Sequence, residues 1–350
     1  MVSHSHAAKA RAYMREHGVK YQQALQIVSW LEQAKPPANG ANRWNSSVDM
    51  DGTSWLEALG IEDIATFDVA ATWAAADPVS LRVPVGYLCT DVDVAVVEPR
   101  ELVYVDVLTS TNRSGGVIQG MTGSGKSVLT PAIVSALAAL NGPDKVQMWL
   151  LQFKGERLLR DCKKLPHVAK VYADARQPLE DVLDSLRAEV PRREELLKKH
   201  GATDARAYRR MLTQSPDLLP LPYLVIIADE TTEVSIAHSE QWAEFMELVN
   251  RSHHIGIALI LAVQYFDHKQ AEQFHQSCAF ALSLRTNFPQ SSRRLFGDDS
   301  ATLLPPRGIG RALNYIEGAE ALTFSGFDIT ASAADSQRTV FDVLLDKLSR

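Results

Sequence analysis

Residues 120 to 127 read Gly120-Met121-Thr122-Gly123-Ser124-Gly125-Lys126-Ser127, which matches the phosphate-binding loop pattern GxxxxGK[ST]. A short apolar segment, residues 116 to 119, precedes this loop and can form the incoming strand. Glycines let the chain turn tightly enough for successive backbone N–H groups to face phosphate oxygens. The loop therefore predicts a strand–loop–helix unit that binds a nucleoside triphosphate.

The two residues that close the loop have specific expected roles. Lys126 is expected to reach the β and γ phosphates, and Ser127 to offer its hydroxyl to Mg²⁺. The helix that Ser127 opens places its positive N-terminal end against the anion. We therefore predict ATP and Mg²⁺ as cofactors, with all eight loop residues in the nucleotide-binding set.

A pair of acidic residues follows an apolar strand further along the chain. The segment Tyr223 to Ala228 delivers Asp229 and Glu230 at its end, the form that a Walker B motif takes in a hydrolytic ATPase. Asp229 is expected to hold Mg²⁺ through its water shell, and Glu230 to orient and deprotonate the attacking water. Such a pair can also cap the next helix, but the complete phosphate loop upstream favours the catalytic interpretation.

Two further strands complete the expected site. Val146 to Phe153 supplies a strand between the two motifs, which is typical of ATPases with a catalytic glutamate rather than of nucleotide kinases. Ala258 to Val263 leads to Gln264, whose amide we predict to sense the γ phosphate. Gln264 thus joins Lys126 and Glu230 as a predicted catalytic residue, with an ordinary polar strand end as the alternative.

Hydrophobic patterning predicts strands that alternate with helices, and hence an α/β fold with a mostly parallel sheet covered on both faces. Helices are expected directly after the phosphate loop, near residues 179 to 200 and near residues 204 to 212. We predict five regions along the chain: a helical N-terminal extension at 1–35, a linker at 36–43, a β-rich lead-in at 44–110, an ATPase domain at 111–331 and a C-terminal helix at 332–350.

Composition narrows the class of protein. The 350 residues are 46% hydrophobic, with neither a membrane-length apolar run nor an apolar leader, which predicts a cytoplasmic protein without its own transmembrane segment. Three scattered cysteines indicate reduced thiols. The net charge of −6 disfavours coating of nucleic acid by bulk electrostatics but allows a ring that grips DNA through a few pore residues.

Hydrolysis of this kind usually needs a cation beside the transferring phosphoryl group, often an arginine from a neighbouring subunit. Six arginines in the second half of the chain are candidates, none preferred over the others: Arg251, Arg285, Arg293, Arg294, Arg307 and Arg311. The histidines and cysteines form no HExxH or paired-ligand spacing, so no metal other than Mg²⁺ is expected.

Beyond these motifs, an ordered set of short segments makes the chain resemble the FtsK/SpoIIIE superfamily of hexameric motors, and most of all the EccC-type ATPases of type VII secretion. The resemblance covers roughly residues 56 to 327. Besides the phosphate loop, its segments are Leu59-Gly60-Ile61, Thr66-Phe67-Asp68, Leu81 to Gly86, Phe153-Lys154-Gly155, Leu165 to Val168, Arg192 to Leu197 and Leu304-Pro305-Pro306.

The resemblance implies a RecA-like P-loop NTPase sheet, ATP hydrolysis at subunit interfaces, and a homo-oligomeric, hexameric ring that pulls a substrate through its channel. Double-stranded DNA and a secreted protein are both open as that substrate, and a membrane-anchored partner is implied. Two positions depart from the family pattern. Gln152 stands where relatives commonly have an acidic residue, and His253 where they often have an arginine. The arginine contact at that point is therefore either missing or supplied by Arg251.

Two other functions stay open. A nucleotide-dependent switch or assembly factor would bind ATP to order a docking surface and would turn over slowly, and the N-terminal helices are compatible with it. A small-molecule kinase would need an acceptor site and a lid, and the Asp229-Glu230 pair disfavours it. The last region, 332–350, is too short for the winged-helix module with which chromosome translocases read DNA orientation sequences.

Overall fold

In a computed structural model of the chain, the described residues are 4–17, five positions between 21 and 28, 53–89, 100–109, 113–153, 157–173, 178–215, 217–265, 277–315, 319–333 and 337–350. Strands in these ranges are β1 (Arg82–Cys89), β2 (Leu102–Asp106), β3 (Gly116–Gln119), β4 (Val146–Gln152), β5 (Val168–Tyr172), β6 (Tyr223–Asp229), β7 (Ile257–Val263), β8 (Phe280–Leu284), β9 (Ile309–Asn314) and β10 (Leu322–Gly326). They form one ten-stranded sheet in the order β2-β1-β10-β9-β8-β3-β7-β6-β4-β5.

One half of this sheet is parallel. The pairs β5–β4, β4–β6, β6–β7, β7–β3 and β3–β8 all run in the same direction. Strands of this kind are covered on both faces and therefore read as continuous apolar runs. Every residue of β3, β6, β7 and β8 is buried.

The other half of the sheet is antiparallel. The pairs β8–β9, β9–β10, β10–β1 and β1–β2 alternate in direction, so five of the nine pairings in the sheet are parallel. β1 and β2 fall within the region 44–110 that the sequence predicts to be β-rich, and they lie at the outer edge of this half. The predicted α/β fold with a mostly parallel sheet is confirmed.

The described helices are α1 (His4–His17), α2 (Thr53–Ala58), α3 (Val69–Ala75), α4 (Lys126–Leu140), α5 (Arg157–Asp161), α6 (Pro178–Lys199), α7 (Ala205–Gln214), α8 (Thr232–Ala237), α9 (Ser239–Arg251), α10 (Pro289–Phe296), α11 (Ser300–Leu303) and α12 (Val340–Leu348). Helix α4 is buried along most of its length because it lies between the sheet and other helices. Among the described helices, none has the length and apolar character needed to cross a lipid bilayer.

A buried arginine joins α6 to the turn before β7. Arg193 is 1% exposed, and it donates to the carboxylate of Glu189 at 2.7 Å and to the backbone carbonyl of Ile255 at 3.1 Å. A buried guanidinium needs such partners because desolvation of an unpaired charge is costly. The guanidinium that contacts the turn before β7 therefore belongs to Arg193. Arg251, the nearby arginine named from the sequence, is exposed at the end of α9.

The N-terminal extension is helical at its described positions, where Ala10, Ala24 and Val28 form a small buried cluster. The predicted linker at 36–43 lies outside the described residues. Helix α12 occupies part of the predicted C-terminal helix and begins with a capping box between Thr339 and Asp342. The boundaries of the five regions stay predictions.

His167 couples the stability of this fold to pH. The ring is buried just before β5, where Nε2 donates to the backbone carbonyl of Asn141 at 2.6 Å and the ring meets Trp73 edge-on, with 5.2 Å between centroids. Burial lowers the pKa of His167 from 6.5 to about 4. Because the unfolded chain binds this proton at higher pH than the folded chain, the folded state loses stability as pH falls through this window.

We predict that this group alone lowers the free energy of unfolding by up to about 3 kcal/mol between pH 6.5 and pH 4. The variant His167→Gln should lose this component, so denaturant titrations across the window should give a flatter pH profile than for the parent. His238→Gln, at an exposed histidine, is the matched control and should keep the parent profile. A parent-like slope for His167→Gln would contradict the assignment.

Candidate nucleotide-hydrolysis site

Three neighbouring parallel strands bring the predicted motifs to one edge of the sheet. The order β3-β7-β6 places the phosphate loop after β3, Gln264 after β7, and Asp229 with Glu230 at the end of β6. Because the strands are parallel, their carboxyl ends meet at the same edge. Segments far apart in sequence therefore build one site.

Backbone hydrogen bonds fix the phosphate loop against the neighbouring strands. The N–H of Gly120 donates to the carbonyl of Val263 at 3.1 Å, and the N–H of Met121 donates to the carbonyl of Arg285 at 2.9 Å. The N–H of Ser124 turns back to the carbonyl of Met121 at 3.1 Å. The loop is thus anchored on β7 and on the segment after β8.

Glycine is required in the loop for two different reasons. At Gly120, an added Cβ would lie 2.4 Å from the Ser124 hydroxyl and 3.2 Å from Cβ of Leu284, so both neighbours would have to move. At Gly125, φ is +105°, a conformation that L-residues rarely adopt. Helix α4 begins at the next residue, so its N-terminus points its free N–H groups at the loop. This arrangement fits a bound phosphate chain.

A buried charge cluster lies beside the loop. The ammonium of Lys126 contacts the carboxylate of Glu230 and lies 3.6 Å from Oδ1 of Asp229. The exposed fractions of Lys126, Asp229 and Glu230 are 6%, 3% and 6%. One ammonium faces two carboxylates, which leaves excess negative charge in a desolvated site. Carboxylate oxygens and the nearby Ser127 hydroxyl are the hard ligands that suit Mg²⁺.

Gln264 connects this cluster to the tip of the loop. Its Nε2 donates to Oε2 of Glu230 at 2.9 Å, and its Oε1 accepts from the Thr122 hydroxyl at 3.2 Å. The two bonds fix which way the amide faces, because only the nitrogen can donate to a carboxylate. Glu230 is therefore held on one oxygen by Lys126 and on the other by Gln264.

Glu230 also has an unusual backbone. Its φ is +55°, which among the described non-glycine residues occurs only here. Its N–H donates to the carbonyl of Ala262 at 3.0 Å, so β7 holds the residue in this conformation. A non-glycine residue in the left-handed region costs about 1–3 kcal/mol and is found mainly at functional sites.

The structure separates the six candidate arginines. Two of them lie at the edge of the sheet that holds the phosphate loop. The backbone carbonyl of Arg285 accepts a hydrogen bond from the loop. Arg307 directly precedes Gly308, whose backbone nitrogen would lie 3.9 Å from a Cβ added to Gly125. Arg251 lies at the opposite edge, just before β7. Arg293 is paired with Asp299 at 2.6 Å, and Arg311 donates to the Thr323 hydroxyl at 3.3 Å.

Sequence reasoning missed two features of the site. The Thr122 bond to Gln264 depends on strand order, which residue spacing does not encode. Gln152 is the last residue of β4 and lies in register with Asp229 of β6, with a buried Nε2 that has no partner among the described residues. Its neighbour Phe153 is described, whereas Lys154 and Gly155 of the same segment lie outside the described residues.

The fold and this arrangement of motifs are those of a P-loop ATPase domain. The FtsK/SpoIIIE family model matches residues 86–267, and the chain belongs to this family. It is 30% identical over 262 residues to the ESX-4 secretion system protein EccC4 of Mycobacterium tuberculosis, an alignment that covers 73% of this chain and 20% of that protein. It is 28% identical over 289 residues to EccC3 of the ESX-3 system of the same organism, covering 77% of this chain and 21% of that protein.

Among solved structures, the chain is similar to the cytoplasmic domain of the type VII secretion ATPase EccC of Thermomonospora curvata. The TM-score is 0.74 at 25% identity, with 84% of this chain and 34% of that chain covered. The chain thus spans about a fifth of the length of the two curated relatives and a third of this structure. The suspected FtsK/SpoIIIE membership and the EccC likeness are confirmed.

The loop geometry leads to a prediction for Gly125→Ala. A methyl group at φ +105° is strained, so the loop must shift and its N–H groups must turn away from the phosphate positions. We expect the affinity for a fluorescent ATP analogue, measured by equilibrium titration, to fall at least about tenfold.

Gly201→Ala is the matched control for this measurement. Gly201 also has a positive φ, +65°, but it follows α6 with no atom within 4 Å of an added Cβ. It should lose stability while keeping the parent affinity. Parent-like nucleotide affinity in Gly125→Ala would show that the loop does not bind phosphate as described.

Proposed function

We propose that this chain is an ATP-hydrolysing motor subunit that moves a secreted protein, in the manner of an EccC-type secretion ATPase. The observation that carries the proposal is the buried cluster in which Glu230 is held between Lys126 and Gln264 and beside Asp229. A switch that only binds nucleotide has no need of a desolvated carboxylate behind its Mg²⁺ ligand. The cluster therefore favours turnover.

In this mechanism each polar group has one task. Lys126 turns from Glu230 to the β and γ phosphates, and Ser127 and Asp229 would hold Mg²⁺, which would neutralise charge on the phosphates. Freed from Lys126, Glu230 accepts a proton from the attacking water. The oxygen of that water bonds to the γ phosphorus while the bond from this phosphorus to the β–γ bridging oxygen breaks, so that ADP and phosphate leave. Gln264 keeps its bond to Glu230 and so orients the carboxylate toward that water. The eight loop residues, 120 to 127, bind the triphosphate.

Assembly and location are part of the same proposal. Hydrolysis in this class commonly uses an arginine from a second subunit, which supports a homo-oligomeric ring with sites at its interfaces. We propose a hexamer in the cytoplasm that is recruited to the membrane through an anchored partner. The relatives are named as components of secretion systems, which supports a protein rather than DNA as the substrate.

The role of Glu230 is tested by Glu230→Gln. The amide is close in size and keeps a hydrogen-bonding group next to Gln264, but it cannot take a proton from water. We expect kcat for ATP to fall at least about a hundredfold while ATP binding is retained. Glu240→Gln, at an exposed position of α9, is the control and should hydrolyse ATP like the parent. Parent-like turnover by Glu230→Gln would remove Glu230 from the role of base.

The nature of the substrate is tested by stimulation of ATP hydrolysis. We expect a small helical secreted protein to raise the ATPase rate and double-stranded DNA to leave it unchanged, in parallel assays at several salt concentrations. Engagement of DNA through its phosphates would instead appear as stimulation that weakens steeply as salt rises. That result would contradict the secretion proposal and support a DNA translocase.

A further inference from the structure

A polar cleft lies at the edge of the sheet opposite to the phosphate loop. Its walls come from segments that precede β3, β6 and β7, where the parallel strands begin, and include Arg113, Asp204, Arg206, Tyr223 and the pair His253-His254. Its enclosed space is small, about 30 Å³, and it opens to solvent. β6 starts at Tyr223 and ends at Asp229, so the cleft and the hydrolysis site lie at opposite ends of one strand.

The cleft contains a hydrogen-bond donor without a partner. Tyr223 is 3% exposed, and its hydroxyl has no hydrogen bond to any described residue. Burial raises the pKa of Tyr223 to about 12, so the hydroxyl is protonated at neutral pH and can donate. A buried polar group without a partner is costly, and at a cleft it indicates a ligand that supplies the acceptor.

The acidic side chain in the cleft is already engaged. Asp204 caps α7: its Oδ1 accepts from the N–H of Ala207 at 2.7 Å, and its Oδ2 accepts from the Thr203 hydroxyl at 3.2 Å. Arg206 donates through one nitrogen, Nη2, to the carbonyls of Leu108 at 3.1 Å and Thr109 at 2.8 Å. A guanidinium carries five N–H donors on three nitrogens. The two carbonyl bonds use only Nη2, so Nε and Nη1 of Arg206 have no hydrogen-bond partner among the described residues.

The electrostatic environment of the cleft favours an anion. Arg206 lies in the first turn of α7, a ten-residue helix with no acidic residue in that turn. A cation there is unfavourable, since the helix N-terminus is itself positive. Arg206, Arg209 and Arg210 outnumber Asp204 around the Tyr223 hydroxyl, and Asp106 offsets part of the charge of Arg206. A bound anion would relieve this repulsion and accept from several donors at once.

We propose that this cleft is a second anion site that takes a phosphoryl group, carried by a free small molecule or by the nucleotide of a second copy of this chain. Tyr223 and Arg206 donate to its oxygens, and His253 and His254 line its mouth. Arg206 lies outside the set of six arginines that the sequence singled out, because its role follows from the start of α7 and not from a motif.

The first test measures binding of inorganic phosphate and pyrophosphate by isothermal titration calorimetry in the Lys126→Ala variant, which lacks the lysine of the phosphate loop. Adding Tyr223→Phe removes only the unpartnered hydroxyl, and adding Arg206→Gln removes the charge. Each should weaken the binding of these anions about tenfold. Tyr208→Phe is the control, because its hydroxyl binds the carbonyl of Leu219 outside the cleft and its loss should leave anion affinity unchanged.

The second test distinguishes the source of the phosphoryl group. If it belongs to a neighbouring nucleotide, Lys126→Ala and Arg206→Gln subunits are each inactive alone, and their mixture regains ATPase activity. If the phosphoryl group belongs to a free molecule, the two substitutions weaken phosphate and pyrophosphate binding in the calorimeter, and mixing the two inactive variants restores no ATPase activity. The mixing experiment rests on the proposed ATP hydrolysis, whereas the calorimetric measurement of anion binding does not.

The proposal fails if neither variant changes anion affinity and mixing restores no activity. Since Arg206→Gln also removes two bonds to backbone carbonyls, its melting temperature is compared with that of the parent. Tyr223→Phe, which removes no existing hydrogen bond, decides the calorimetric result if Arg206→Gln loses stability.

Discussion

The buried ammonium of Lys126 lies between two carboxylates, and the remainder of the site depends on this contact. Lys126 is 6% exposed and 104 residues away from Glu230 in sequence. An isolated buried charge is strongly unfavourable, so the loop after β3 and the end of β6 must be held close together. The second carboxylate, Asp229, leaves the group of three charges net negative. A desolvated site of this kind attracts a divalent cation and the phosphates that accompany it.

The parallel half of the sheet supplies the geometry for this contact. Three adjacent strands each contribute one part: β3 leads into the loop, β7 leads into Gln264 and β6 ends in the acidic pair. β7 lies between the other two strands, so the side-chain amide of Gln264, the residue after β7, can reach both the loop and Glu230. The backbone of Glu230 is strained at φ +55°, and its bond to Ala262 on β7 maintains that conformation. Strand order, rather than proximity in sequence, brings these side chains together.

The antiparallel half of the sheet contributes less to the chemistry of the site and more to the structural framework of the fold. β9 pairs with β8, and the turn before β9 brings Gly308 beside Gly125 of the loop. β10 then joins β9 to β1, so the segments before and after the parallel half close into one sheet. This continuity explains how the stretch upstream of the phosphate loop takes part in the same fold.

Much of the parallel half could be predicted from the sequence, because a strand buried on both faces leaves an unbroken apolar run, as in β6. The loop and the acidic pair could be predicted because their chemistry demands particular residues in order. β5, β9 and β10 were missed. β9 and β10 are short, contain glycine and are only partly apolar, and no residue of β5 is fully buried. The partners of Arg193, Thr122 and Tyr223 lie on other elements, so these contacts required the three-dimensional arrangement.

A structure of the protein with Mg²⁺ and a slowly hydrolysed ATP analogue tests the central claim most directly. The decisive quantity is the position of the Lys126 ammonium. The mechanism predicts that it leaves Glu230 and lies about 2.8 Å from a phosphate oxygen, while Gln264 keeps its bond to Glu230. A nucleotide bound with Lys126 still on the two carboxylates would contradict the account.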